Sequence, residues 1–472
     1  MALFPLLRTR DSNAVVAYRD GRAVRVAEFL SNVQSLTERL PDRKHVLNLC
    51  VDRYRFAVGL VASIHRRQVS LLPPNHTPAF LQGLQKNYPE LYTLTDRDNW
   101  GSPMETVRFP DLAKAILGVP EIPIFPATQV VAHVFTSGST GEPVPHEKTW
   151  GSLVASSLSA GRALGIESMP GAVLVSTVPA QHMYGFESSL LLAWQNGLVW
   201  HNERPFYPRD ICAKIAGLPR PRILVTSPVH LNALLADSGM IPPVDLVICA
   251  TAPLAISLAF QAEKKFRSPV MEIYGCTEAG QVAVRRPTQG EGWKCMTGIT
   301  LRLCSQGLAM VRGGHVEGEI LLNDVIEIID SEHFLLHERH TDLVNVAGKR
   351  TSLTSLNHLL NSIPGVQDGV FVMAPESPGV VARLMAFVVS ETLDHDALLI
   401  ALRERIDPAF LPRPLRLVDS LPRDGTGKLP KREIDRIIQL YKNEGGGVRR
   451  RPDSPATLSS NKLPGMPDDT KD

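Results

Sequence analysis

Val130-Val-Ala-His-Val-Phe135 runs directly into Thr136-Ser-Gly-Ser-Thr-Gly141. The first six residues read as an apolar strand. The next six are hydroxyl residues and glycines. Glycines let backbone N–H groups converge and the hydroxyls add donors, which is what an anion cradle after a strand requires. The same six residues also make an ordinary polar loop. No Gly-Lys-Ser/Thr follows, so the segment is not a Walker loop, and it is not a dinucleotide fingerprint.

Outward from this segment, apolar runs alternate with amphipathic stretches. Residues 14–18 and 22–26 flank Asp20-Gly21, a two-strand hairpin signal. Phe29, Leu30, Val33 and Leu40 share one helix face. Strands are predicted at 46–49, 69–72, 173–178, 223–225, 246–249 and 270–273, with helices at 56–64 and around Leu153, Val154, Leu158 and Leu164. This alternation predicts a largely parallel sheet with helices on both faces. Near residue 340 the texture changes to short mixed elements: strands at 343–346, 370–373, 385–389 and 415–418, and a helix near 397–406. From Gly445 the chain is Gly-rich, then basic, then Pro-, Ser- and Asp-rich, and it is expected to be disordered.

At 472 residues the chain is long enough for two or more domains. Its 50 basic and 48 acidic residues leave a formal charge of +2, which gives no electrostatic case for nucleic acid or an anionic membrane. No apolar run approaches the ~18 residues of a membrane span. Residues 1–7 are apolar but lack a basic start, so no signal peptide is read. The six cysteines are scattered without a Cys-x-x-Cys pair, supporting neither a zinc site nor a disulfide framework. A reducing cytoplasm is the expected location.

Further segments follow predicted strands. Tyr274-Gly-Cys-Thr-Glu278 offers a ring for a purine, a hydroxyl for a phosphate and a carboxylate for Mg²⁺. Ala250-Thr-Ala-Pro-Leu254 follows the strand at 246–249. In an open parallel sheet, ligands bind beyond the carboxyl ends of the strands, so these loops and the 136–141 segment are expected to converge on one crevice. Asp324, Arg339 and Asp342-Leu-Val-Asn-Val-Ala-Gly-Lys-Arg350 come next. Last is Leu421-Pro-Arg-Asp-Gly-Thr-Gly-Lys-Leu-Pro-Lys-Arg432, which mounts a lysine on a Gly-Thr-Gly loop or makes a basic turn before a helix.

With these five segments in order, the chain resembles the adenylate-forming (AMP-binding) superfamily of acyl- and aryl-CoA synthetases, peptide-synthetase adenylation domains and luciferases. The resemblance implies an α/β fold: a large multilayer amino-terminal domain with parallel sheets and helices at 1–340, a small mobile α+β carboxy-terminal domain at 341–444, and a disordered tail at 445–472. It also implies roles. Thr136, Ser137, Gly138, Ser139, Thr140 and Gly141 would hold the ATP phosphates. Ala252, Pro253, Tyr274 and Gly275 would border the nucleotide, with Tyr274 against adenine. Thr277 would contact the α-phosphate and Glu278 would hold Mg²⁺. Asp324 and Arg339 would bind the ribose, Thr341 would be the hinge, Gly348 would line a pantetheine tunnel, and Lys428 would reach carboxylate and α-phosphate during adenylation. Cations and oriented donors must offset the repulsion when a carboxylate attacks a phosphate.

Gln181-His-Met-Tyr-Gly-Phe186 resembles the family segment bordering the acid, making His182 a catalytic candidate and Met183, Tyr184, Gly185 and Phe186 pocket candidates. Glu187 is a candidate for holding an amino-acid amine, although the His182-to-Gly185 spacing matches acyl and aryl synthetases better. Residues 48–56 and 147–150 resemble ligases of bacterial aryl-polyene and xanthomonadin pathways. The implied activity is ATP- and Mg²⁺-dependent ligation of an aryl acid, such as a hydroxybenzoate or hydroxycinnamate, to the phosphopantetheine thiol of an acyl carrier protein or CoA. A fatty acid ligase and a non-catalytic homologue are the alternatives. Three positions depart from the family: Val144 stands in place of a Lys, Glu338 in place of a Gly, and Thr341 in place of an acidic or Lys hinge residue. His146 or Lys148 is expected to supply the charge missing at Val144.

Overall fold

The computed structural model describes residues 2–73, 78–98, 104–111, 121–137, 143–304, 308–322, 324–339, 343–346, 349–373, 384–425 and 427–443. Two compact units are present, Met1–Leu429 and Pro430–Asp472.

Asp20 and Gly21 both take positive φ, 51° and 75°. This is the turn geometry that matches the twist of a two-residue hairpin, and it joins Val15–Arg19 to Arg22–Arg25 as expected. That hairpin ends an eleven-stranded sheet. Six neighbouring strands of the sheet run parallel: Val270–Cys276, Leu246–Cys249, Arg222–Thr226, Val173–Ser176, Val199–His201 and Val15–Arg19. Antiparallel strands extend the far flank, in the order Gly280–Arg285, Trp293–Cys295, His333–Arg339 and Asp324–Ile328. The sheet is therefore mixed. Apolar runs alone do not distinguish a hairpin return from a crossover, so the antiparallel flank was not predicted from the pattern.

A second sheet of six strands orders Pro143–Thr149, Val130–Ser137, Val69–Leu72, His45–Asn48, Leu91–Thr95 and Thr106–Arg108. All its pairs are parallel except the first. One hydrophobic core takes side chains from both sheets, Val46 and Val131 from one and Leu174, Ile248 and Val282 from the other. Phe29, Trp194 and Trp200 meet edge-on within it, with ring centroids 5.5 Å apart for Phe29–Trp200 and 5.9 Å for Trp194–Trp200. Such rings each bury about 150–250 Å².

Two helices facing this core start with side-chain caps. Asp52 accepts from the Arg55 N–H at 2.8 Å at the head of Arg53–His65, and Thr149 accepts from the Ser152 N–H at 3.2 Å at the head of Trp150–Ala163. Arg53 itself is buried, and its guanidinium donates to the carbonyls of Ser176, Val178, His201 and Glu203 at 2.8–3.2 Å. Burial, with Arg204 nearby, lowers its pKa to about 9, and Asp52 acts in the opposite direction. One side chain thus joins a helix to the carboxyl ends of two parallel strands.

Beyond residue 342 a hairpin of Leu343–Val346 and Lys349–Ser352 precedes a three-stranded sheet of Asp368–Met373, Leu384–Val389 and Leu415–Leu417. Helices Leu353–Asn361 and His395–Arg403 flank these strands, and Leu356, Phe371, Val388, Leu398 and Leu415 form a core of their own. The second unit holds the helix Lys431–Asn443, in which Glu433 pairs with Arg432 and Arg436. The predicted tail at 445–472 lies outside the described residues. Among the described residues no helix is long and apolar enough to cross a membrane.

Candidate active site

The loops at 250–254 and 274–278 leave adjacent parallel strands at the same, carboxyl edge. The former is held from beneath: the Leu254 N–H donates to Glu272 Oε1 at 2.8 Å. Glu272 is 3% exposed and also accepts from Arg285 Nε at 2.7 Å. Burial pushes its pKa up, and Arg285 opposes that shift. Thr251 takes φ +87°, a region a β-branched residue enters only under constraint. Ala252 and Pro253 are exposed at the loop tip.

Tyr274 is 8% exposed. Its ring meets Trp293 and Phe334 edge-on, at 5.7 and 5.8 Å between centroids. Its hydroxyl donates to Asp324 Oδ2 at 2.7 Å. Asp324 in turn stands opposite Arg339 in the antiparallel ladder. Three residues from well-separated parts of the chain, each assigned to one nucleotide by the resemblance, are brought together. Gly275 lies against the Gly280 carbonyl, where a Cβ would collide, so the strand can fold back at Thr277 and Glu278. Both of those residues are half-buried.

Thr136 and Ser137 end a strand of the six-stranded sheet, and the chain returns antiparallel, pairing Thr136 with Val144 and Ser137 with Pro143. The strands on either side of the segment thus form an antiparallel pair at the end of a second sheet. Gly138, Ser139, Thr140 and Gly141 lie outside the described residues, as do Thr341 and Gly348.

The return strand Pro143–Thr149 reaches the first sheet through Lys148. Its ammonium donates to the main-chain oxygen of Glu278 at 2.7 Å, and the residue is 7% exposed. Burial lowers its pKa, while Glu187, Cys276, Glu317 and Glu278 pull it back up. Lys148, one of the two residues expected to supply the charge missing at Val144, is thus turned inward, while His146 is half-buried two residues before it. Glu187 is buried on a π-helical turn, Phe186–Leu191, and accepts from Ser156 Oγ at 2.7 Å. Burial raises its carboxyl to about 7, with Ser156 and Lys148 acting against that shift. A Cβ on Gly280 would lie 3.0 Å from its Oε1. Glu187 thus packs behind the hairpin at Gly280, not on an open surface that an amino-acid amine could reach.

His182 is half-buried and begins a helical turn, its N–H 3.4 Å from the Pro179 oxygen. Met183 is half-buried beside it. Tyr184 Oη lies 3.0 and 3.1 Å from the carbonyls of Thr226 and Ile248, to which it donates. Burial pushes its pKa well up. Gly185 touches the Pro179 carbonyl, leaving no room for a Cβ, and Phe186 is 0% exposed in the core. Of this segment, Gly185 and Phe186 pack the base of the edge.

Beside them lies a polar cluster the sequence reading did not single out. Thr177 Oγ1 is 3.0 Å from both Thr226 Oγ1 and His230 Nδ1, and Ser227 Oγ is 3.1 Å from the same nitrogen. Burial, then Arg204, lowers the His230 pKa to about 4, so its imidazole is neutral at pH 7. The strand-end rule applied to the other loops, extended to Thr226-Ser-Pro-Val-His230, is the signal that would have found it.

The Lys428 loop packs on this cluster. Gly427 has φ +86°, and a Cβ there would lie 3.2 Å from Val229 Cγ2 and 3.3 Å from Ser227 Oγ. One on Gly425 would lie 3.1 Å from Arg204 Nη1 and from Pro179 Cγ. Asp424 closes the turn, its N–H donating to the Lys428 carbonyl at 2.7 Å and its Oδ1 accepting the Lys428 N–H at 3.0 Å. Arg423 anchors the loop on Asp368, at 2.6 and 2.7 Å. The mount of Lys428 is thereby set at the carboxyl edge, against Pro179, Ser227 and Val229. A cavity of about 350 Å³ at the opposite edge is lined by Leu7, Val15, Val173, Trp194 and Val199, without a charged side chain. Its hydroxyls come from Thr9 and Tyr18 alone, whereas His230, Thr177, Thr226 and Ser227 cluster at the carboxyl edge.

A family model described as "AMP-binding enzyme" matches residues 41–324. The chain is 25% identical over 297 residues to a 4-coumarate–CoA ligase of Rhodobacter capsulatus, covering 62% of this chain and 73% of that protein. It is 22% identical over 342 residues to a 2-succinylbenzoate–CoA ligase of Staphylococcus epidermidis, covering 66% and 70%. In fold it is similar to the O-succinylbenzoate coenzyme A synthetase of Bacillus subtilis in complex with AMP, with a TM-score of 0.76, 18% identity and coverage of 91% and 97%.

Proposed function

Because the chain belongs to the AMP-binding enzyme family, as an acid–thiol ligase that activates a carboxylic acid with ATP, we propose that its acid is an aryl acid and its acceptor a phosphopantetheine thiol. A carboxylate oxygen attacks the α-phosphorus of ATP, the bond to pyrophosphate breaks, and an acyl-adenylate forms. The thiol then attacks the acyl carbon, losing its proton, and AMP leaves.

The observation that carries the reading is the hydrogen bond that ties Tyr274 to Asp324, which stands opposite Arg339 in the ladder of the antiparallel flank. On it, Tyr274 and Asp324 hold the nucleoside, Thr277 faces the α-phosphate, and Lys428 approaches the two anions from the loop seated on Pro179 and Ser227. Among the described residues no cluster of three or more metal-ligating side chains exists. One loop carboxylate, Glu278, fits Mg²⁺, which takes one or two carboxylates when phosphates complete its shell. When bound, Mg²⁺ would neutralise phosphate charge.

Two of the most similar relatives carry aryl acids in their names, 4-coumarate and 2-succinylbenzoate, which supports an aryl substrate. Phosphopantetheine is common to CoA and a holo-carrier protein, and either serves as the thiol. The small α+β elements after residue 340 are proposed to move between the two half-reactions, with Thr341 as hinge and Gly348 at the thiol's approach. Acid-dependent ATP–pyrophosphate exchange across aryl and aliphatic acids, each followed by CoA or holo-carrier protein, tests the reading. Exchange with an aryl acid is expected. A preference for long aliphatic acids would overturn the aryl assignment, and no exchange with any acid would leave a non-catalytic homologue.

A further inference from the structure

We infer that Lys148 is a positioning residue for adenylation: its ammonium fastens the Thr277–Glu278 loop of the eleven-stranded sheet to the strand that leaves the phosphate hairpin of the six-stranded sheet. The inference rests on the adenylation reading above and names a further residue for that same site.

Side chains alternate along a strand, so Val144, His146 and Lys148 share one face of Pro143–Thr149. That face closes progressively, from Val144 at 46% exposed, through half-buried His146, to Lys148 at 7%. Lys148 pairs across the ladder with Ala132, which is fully buried and small. Burying an ammonium costs several kcal/mol unless it is paired and hydrogen-bonded. Here the Glu278 carbonyl accepts its proton at 2.7 Å. The carboxylates of Glu187, Glu317 and Glu278 surround it with favourable charge.

That hydrogen bond goes to the main chain of the residue proposed to meet the metal, and it spans two separate ladders. Val144, the position where the family carries its lysine, is exposed and uncharged. A cation four residues on, facing inward, therefore does different work. It sets where the carboxylate loop stands relative to the phosphate hairpin.

The test compares Lys148→Met and Lys148→Arg with wild type in three measurements. These are hydrogen exchange of residues 275–280, calorimetric affinity for Mg·ATP and for AMP, and the two half-reactions. For Lys148→Met the inference expects faster exchange of the segment. It also expects Mg·ATP affinity about tenfold weaker, the lower end for lost support of a metal ligand. AMP affinity and thioester formation from supplied acyl-adenylate should stay close to wild type, and Lys148→Arg should recover most of the loss. Where Lys148→Met alone unfolds, its combination with Glu187→Gln removes the carboxylate that the lost ammonium leaves behind, and the same readouts apply. Weaker Mg·ATP binding with unchanged exchange of 275–280 would make Lys148 a direct phosphate ligand and overturn the inference. Equal losses in Mg·ATP, AMP and both half-reactions would make it merely structural and also overturn it. Wild-type protein that exchanges pyrophosphate while Lys148→Met matches it throughout would sink the inference alone. Wild-type protein with no exchange on any acid would sink the adenylation reading first.

Discussion

The Tyr274 hydroxyl donates to the Asp324 carboxylate at 2.7 Å, joining a strand of the parallel core to the antiparallel flank. On the proposed reading, the residue against the base sets the carboxylate that takes the ribose. Tyr274→Phe keeps the ring but removes a hydrogen bond to a charged group, worth about 1.5–3 kcal/mol. AMP affinity measured by calorimetry should fall roughly tenfold, since about 1.4 kcal/mol is one decade. Unchanged AMP affinity would take this pair out of the nucleotide site.

Lys428 separates the half-reactions. Its loop is seated on Pro179, Ser227 and Val229, beside the proposed acid site. Lys428→Ala should lower adenylate formation by about a hundredfold, comparable to removing one donor from a preorganised site. Thioester formation from a supplied adenylate should change far less. Equal losses in both steps would contradict a domain movement between them.

Thr251 holds φ +87° at the head of the 250–254 loop. A non-glycine residue in such a region costs about 1–3 kcal/mol. Thr251→Gly should therefore raise stability by about 1 kcal/mol after glycine's greater chain entropy is counted. Denaturant unfolding measures it. A loss of stability would mean the threonine side chain repays the strain through its own contacts.

Glu187 carries a pH signature. Its carboxyl rises from 4.5 to about 7 in the folded chain. Between those values the native state holds a proton that the unfolded state has released. This group's contribution is thus fully present below 4.5 and is lost as pH rises to about 7. His230, lowered to about 4, acts in the opposite sense over an overlapping range. The comparison of wild type with Glu187→Gln isolates the first. The variant should lose a negative slope of up to ~1.4 kcal/mol per pH unit, one proton's worth, within that window. Parallel stability–pH curves would show that Glu187 is ionised in the core.

Much of this was legible because strand-end loops announce themselves in composition. The strands Val69–Leu72, Leu246–Cys249 and Leu343–Val346 fall at their predicted positions. The Asp20-Gly21 turn followed from backbone chemistry alone. The partition of the strands into two sheets was not legible, because an apolar run reads alike whether its neighbour is parallel or antiparallel. The Thr177–Thr226–His230 cluster escaped notice because its members lie 49 and 53 residues from Thr177 in sequence and meet only through strand pairing. From sequence, Lys148 and His146 are equal candidates for a phosphate cation. The inward direction of Lys148 depends on which strand face meets the core, and that is set by tertiary packing.

The division between sheets has a consequence for how the protein tells one nucleotide from another. The residues proposed for base and ribose ride on one ladder, and those proposed for the outer phosphates on the other. Substitutions in the apolar layer between the ladders, such as Val131 or Val282, would change the distance between the two ends of ATP and leave the shorter AMP undisturbed. The ratio of the two affinities then acts as a ruler across the interior, a discrimination between substrate and product set by core volume.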